Sequence, residues 1–186
     1  MVRRSRPAYG SDMTDATGPG AEVPTEWIDW WRHGEEHLAT ALGRLVEEDY
    51  ARPSLLPGWT RAHVLAHLAR NADAMLNLLA WARTGTETPM YPSPDARDRD
   101  IEETARRSPQ ELEADVLGAT ARLAQAVRET PPEAWAATVR TFRGREIPGA
   151  DIVRMRAQEV WVHAVDLGSG VEFADIPDGV LSYVVD

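Results

Sequence analysis

Residues 60–83 read TRAHVLAHLARNADAMLNLLAWAR, and the spacing inside this stretch decides the fold class. Val64, Leu65, Leu68, Ala72, Met75 and Leu79 recur at the three- and four-residue intervals of an α-helix. Thr60 stands where a cap is needed, and Gly85 closes the pattern just beyond Arg83. The same period appears on both sides. Upstream, Ile28, Trp31, Leu38, Leu42 and Leu45 predict a first helix, opened by Thr25 and broken before Arg52-Pro53. Downstream, Ser108, Pro109 and Glu111 form a capping box ahead of Leu112, Val116, Leu117, Leu123 and Val127, with Pro131-Pro132 as the stop. A fourth helix is predicted from about Ala150 to Leu167, ending at Gly168. Four amphipathic helices with one long crossover read as an all-α four-helix bundle.

The connections carry less signal. In residues 85–107, Pro89, Pro92 and Pro94 oppose a helix, while Asp95–Arg107 has partial helical character. Val139, Thr141 and Phe142, followed by Arg143-Gly144-Arg145, predict a short hairpin before the last bundle helix. Residues 1–24 have no apolar stripe and are expected to form a disordered tail. No apolar region follows Arg3, Arg4 and Arg6, which argues against a secretory peptide. The bundle is assigned to residues 25–170. Residues 165–186 hold five acids and no Arg. Residues 171–186, which include a candidate fifth helix from 175, are expected to begin a C-terminal segment or domain not included in this chain.

Composition narrows the chemistry. The chain has 186 residues, 20 basic and 30 acidic, for a net charge of −10. Such a chain grips phosphate backbones poorly, so no nucleic-acid partner is expected. The absence of Cys excludes a disulfide scaffold, thiolate-held zinc, an iron–sulfur cluster and a cysteine nucleophile. Every basic residue is Arg, which excludes Schiff-base chemistry and a lysine-bearing phosphate loop. No stretch approaches the ~18 apolar residues of a membrane span. A cytoplasmic protein, adequate as a monomer, is the expectation.

Glu159 and His163 are four residues apart and share one helix face. A pair at this spacing is as a rule a surface ion pair. Here Val160, Trp161, Val162, Ala164 and Val165 surround it, which argues for burial and so for a cation or hydrogen-bond partners. His67 lies among Leu65, Ala66, Leu68 and Ala69 and reads the same way. His63, four residues earlier in the first turn of its helix, reads as a local hydrogen-bonding residue. His33 and His37 belong to a Glu-rich, solvated face. A bundle builds metal sites from inward-facing side chains, and two His with one Glu would leave zinc an open position. Arg156 extends the face of Glu159 and His163, either as a rim ion pair or as a fork for a substrate carboxylate. Asn71, four residues beyond His67, could orient a ligand or touch substrate.

Three segments resemble one family. They are Leu56-Pro57-Gly58-Trp59-Thr60-Arg61-Ala62-His63-Val64-Leu65-Ala66-His67-Leu68-Ala69-Arg70-Asn71-Ala72, Thr84 to Arg97 with its Pro89-Met90-Tyr91, and Met155-Arg156-Ala157-Gln158-Glu159-Val160-Trp161-Val162-His163-Ala164-Val165-Asp166-Leu167-Gly168. In this order they resemble the mycothiol-dependent maleylpyruvate isomerases of the DinB-like superfamily, over roughly residues 25–180. The resemblance implies a DinB-like bundle followed by a smaller α/β domain, and zinc on His67, Glu159 and His163, preferring His67 to His63. It implies mycothiol as the thiol cofactor. Its thiolate adds to the double bond of maleylpyruvate, the resulting single bond rotates, and elimination gives fumarylpyruvate, as in gentisate-type aromatic degradation. No catalytic residue beyond the metal-bound thiol is implied. A chain without Cys must borrow its sulfur, which agrees with this chemistry. Two other readings compete: another mycothiol-dependent transferase on the same bundle, and a non-enzymatic, metal-stabilised binding module.

Overall fold

Helix α2 (Arg61–Thr84) is the spine of the molecule, and its ends are set locally. Thr60 Oγ1 accepts from the His63 N–H, and Gly85, at φ 69°, closes the last turn by donating to Trp81 O (2.8 Å). A side chain at Gly85 would have to enter the left-handed region, which glycine enters without strain. The computed structural model describes residues 25–185, so the tail expected over 1–24 lies outside the described residues.

Around α2 stand α1 (Thr25–Leu42), α3 (Pro94–Ala105), α4 (Pro109–Arg128) and α5 (Pro132–Trp135). A hairpin of β1 (Thr138–Arg140) and β2 (Glu146–Pro148) leads into α6 (Asp151–Asp166), and α7 (Asp178–Val185) follows. α1 packs along α6, and α2 packs along both α4 and α6, which makes the four-helix bundle. Leu38, Leu65, Leu68, Met75, Leu78, Leu123, Ile152 and Trp161 are buried between these helices. No helix among the described residues is long and apolar enough to cross a membrane.

Differences from the sequence reading have local causes. Pro94 does not oppose a helix but opens α3, where its missing N–H costs nothing, behind a Ser93 cap that accepts from the Ala96 N–H (3.1 Å). The crossover between α2 and α4 is thus partly helical, and α3 lies against α2. α1 includes Thr25 and ends at Leu42, short of Leu45. The core also continues past residue 170, through Val171, Ile176 and Val180.

The capping box of α4 forms as expected. Ser108 Oγ accepts from the Glu111 N–H (3.3 Å), and Glu111 Oε2 accepts from the Ser108 N–H (2.9 Å). The hairpin pairs Val139 with Ile147, both buried, and joins α6 through Gly149. A Cβ at Gly149 would lie 2.5 Å from the Ala134 carbonyl oxygen, closer than contact allows. Gly149→Ala should therefore force α5 and the hairpin apart and lower the unfolding free energy by about 1–3 kcal/mol, read by urea denaturation. Unchanged stability would show that this approach is looser than the structure has it.

Candidate metal centre and cavity

Register brings the candidate ligands together. Arg61, at the start of α2, donates from Nε to Leu167 O (2.6 Å) and from Nη2 to Gly168 O (3.3 Å). α2 therefore begins where α6 ends, and the two run antiparallel. At 1.5 Å per residue, His67 lies ~9 Å along α2 from this anchor, and Glu159 and His163 lie ~6–12 Å back along α6. All three reach the same level.

His67 Nε2 lies 2.9 Å from Glu159 Oε2, and His163 Nε2 lies 3.2 Å from the same oxygen. The two imidazoles meet edge to face, with centroids 4.7 Å apart, and the Trp59 ring is 5.5 Å from His67. The donor atoms of the three residues all lie within 4.8 Å of one another. His67 is buried and the other two are partly buried. His163 Nδ1 faces Asp166 Oδ2 at 2.8 Å.

Burial and pairing compete at each group. For Glu159, burial favours the neutral acid, but hydrogen bonds from His163 and His67 outweigh it and hold the carboxyl well below its ordinary range. Burial likewise opposes charge on His163, yet Asp166 and Glu159 overcome it and raise the imidazole to about 9. For His67, burial dominates over Glu159 and pulls the imidazole down.

Two imidazoles and one carboxylate form a zinc donor set that leaves a fourth position open. A carboxylate behind the outer ring nitrogen of a histidine, as Asp166 is behind His163, fixes the tautomer that turns Nε2 to an ion. The residues present thus fit a divalent zinc ion. The outer nitrogen of His67 instead faces Arg97 Nη2 at 3.5 Å, too long to fix its tautomer.

His67 and Glu159 line a cavity of about 680 Å³ together with Asn71, Tyr91, Arg97 and the turn of the hairpin. The Arg97 guanidinium lies 5.8 Å from the centre of the Tyr91 ring and binds Asp98 (2.7 Å). Burial pushes the Tyr91 hydroxyl up to about 12, so it stays a neutral donor near neutral pH. Tyr91 also packs edge-on against Phe142, at 5.4 Å between centroids.

Arg156 is placed neither on a rim nor in the cavity. Both expected roles need an exposed guanidinium, and Arg156 is 0% exposed. It donates to Leu68 O (2.9 Å), Asn71 Oδ1 (3.0 Å), Thr120 Oγ1 (3.0 Å) and Glu35 Oε1 (3.1 Å), so α1, α2, α4 and α6 meet on one charge. At this position the guanidinium clasps the four helices together. Asn71 does line the cavity, and Arg156 engages its carbonyl oxygen, which turns the amide so that its N–H groups remain to donate. His63 bonds locally to Thr60 Oγ1 (2.6 Å), and His33 is exposed. His37 is half-buried against the Trp161 ring at 4.5 Å, less solvated than expected.

The sequence reading missed Arg97, Tyr91, Arg143 and Arg145 as cavity residues, and Asp166 and Glu35 as partners. Arg143-Gly144-Arg145 reads as a turn, but nothing local ties it to His67. Glu35 reads as part of a solvated face until its partner, far along the chain, is placed.

The family model described as mycothiol maleylpyruvate isomerase N-terminal domain matches residues 31–168. Two crystal structures match as well, one of the mycothiol-dependent maleylpyruvate isomerase and one of a mutant of it with alanine in place of a histidine. Each is 42% identical and superposes with a TM-score of 0.83 over 85% of this chain. The chain spans 66% of each of those chains, just under two thirds of their length. No curated protein matches it.

Two outcomes test the centre. Asp166→Asn should weaken zinc binding about 10–100-fold in a chelator competition, because the outer partner of His163 loses its charge; equal affinity would contradict that role. Zinc binding at pH 7 should also release a proton, since His163, raised to about 9, is protonated without the ion and must be neutral to hold it. Calorimetry in buffers of different ionisation enthalpy measures this, and no release would contradict the assignment of His163.

Proposed function

Because the chain belongs to the family of mycothiol maleylpyruvate isomerase N-terminal domains, we propose that it is the zinc- and thiol-bearing bundle of a cytoplasmic, monomeric cis–trans isomerase that turns maleylpyruvate into fumarylpyruvate. The observation that carries this reading is the convergence of His67, Glu159 and His163 on one point beside a cavity rich in guanidinium, in a chain with no sulfur nucleophile of its own. Zinc held by these three residues would supply a Lewis acid that keeps the mycothiol sulfur as a thiolate near neutral pH.

The residues of the chain do the rest by position and charge. Addition, rotation and elimination return every atom of the thiol, so the protein needs no net proton donor. It must hold one end of the substrate while the other turns. Asn71 offers amide N–H groups from the cavity wall, with its carbonyl fixed by Arg156. Arg97 sits between Tyr91 and His67, where it can face a carboxylate or the negative charge that develops when the double bond is attacked. Trp59 packs on His67. Asp166 holds His163 in the orientation that an ion requires.

The test is isomerisation of maleylpyruvate by the zinc-loaded protein, followed by absorbance with and without mycothiol. Turnover should require both. His67→Ala should lose bound zinc and at least about 100-fold in kcat/KM, as expected when a Lewis acid is removed. Turnover without thiol, or full zinc content in the variant, would overturn the reading.

A further inference from the structure

The turn between β1 and β2 holds two guanidiniums on a rigid support. The Thr141 N–H donates to Arg145 O (2.8 Å), and the Gly144 N–H donates to Thr141 O (2.8 Å). The Arg145 N–H also donates to Thr141 Oγ1 (3.2 Å). Gly144 sits at φ 82°, a conformation that favours glycine. Val139 and Ile147 anchor the strands in the core, and the Phe142 N–H lies 3.2 Å from Met90 Sδ.

Arg143 and Arg145 both line the cavity that His67 and Glu159 line. Neither has a carboxylate partner among the described residues. The acid next to them, Glu146, instead lies 3.9 Å from Arg140. With Arg97, three arginines and one acid line the cavity, in a chain whose net charge is −10. A positive concavity in an acidic protein selects anions and draws them to one place. Planar guanidiniums on a fixed turn are suited to a carboxylate, which they bind through paired N–H groups.

We propose that Arg143 and Arg145 bind the carboxylate of the substrate that lies farther from the triad, and so make the cavity selective for dianions over monoanions. This rests on the isomerase reading, because a cis-enedioic acid carries a second carboxylate for the turn to grip. With that carboxylate held by the turn, the other end of the molecule can swing about the central bond beside the triad.

The probe is maleate, with isocrotonate as the monoanionic comparison, titrated calorimetrically into the zinc-loaded chain. Maleate should bind at least about 10-fold more tightly than isocrotonate, and its affinity should fall with added salt. Arg143→Gln/Arg145→Gln should weaken maleate about 10–100-fold, leave isocrotonate and zinc content unchanged, and raise KM in the isomerase assay with kcat within about 2-fold. Arg99→Gln/Arg128→Gln, which removes the same charge outside the cavity lining, should change neither ligand. Equal maleate affinity in wild type and the turn variant, an equal loss in the control variant, or no maleate binding by wild type overturns the proposal. Arginine-dependent maleate binding without turnover would leave it standing and count against the isomerase reading alone. Thiol-dependent turnover with no dependence on the arginines would do the reverse.

Discussion

Arg61 at the start of α2 donates to the last carbonyls of α6, and Arg156 within α6 donates back to α2 at Leu68 and Asn71. These two arginines fix the antiparallel register of α2 and α6, and the candidate centre depends on it. A slip of one residue along either helix would carry a side chain about 100° around the axis, and His67 would no longer face Glu159. Arg156 sits in the apolar interior, where a guanidinium is costly to dehydrate. It is tolerated because acceptors from α1, α2 and α4 surround it. Removing its carboxylate partner, Glu35, would leave the charge with neutral acceptors only and loosen the register. The clasp therefore links stability of the bundle to geometry at the centre.

The same arrangement sets up a gradient of charge. On one side of the cavity, Glu159 is balanced by two imidazoles, with Asp166 behind His163. On the others, Arg97, Arg143 and Arg145 face the space with few acids to answer them. Catalysis of the proposed kind needs little from the protein in covalent chemistry. It needs a fixed place for a borrowed sulfur and a fixed hold on one end of an anionic substrate. Both are supplied by side chains on rigid elements, α2 and α6 on one side and a short, tightly bonded turn on the other.

The parts of this design that were legible in the sequence are those written locally. The cap of α2, the capping box of α4 and the apolar stripes each depend on residues within one or two turns. Glu159, His163 and His67 stood out because polar groups in apolar runs demand a partner. The face of Arg156 is legible, but its neighbours are not, since Glu35 and Thr120 meet it only after α1 and α4 pack. Pro94 reads as a breaker because its place behind Ser93, at the first helical position, depends on where the helix begins. Arg97, Arg143 and Arg145 lie in segments that carry no period, so their convergence on His67 exists only in the folded chain.

The most direct measurement is X-ray absorption at the zinc edge, on the zinc-loaded protein before and after addition of mycothiol. The account predicts two imidazole nitrogens and one carboxylate oxygen at ~2.0–2.2 Å, with a sulfur scatterer arriving at ~2.3 Å once the thiol is present. A zinc shell closed by a fourth protein ligand, with no sulfur after the thiol is added, would contradict it.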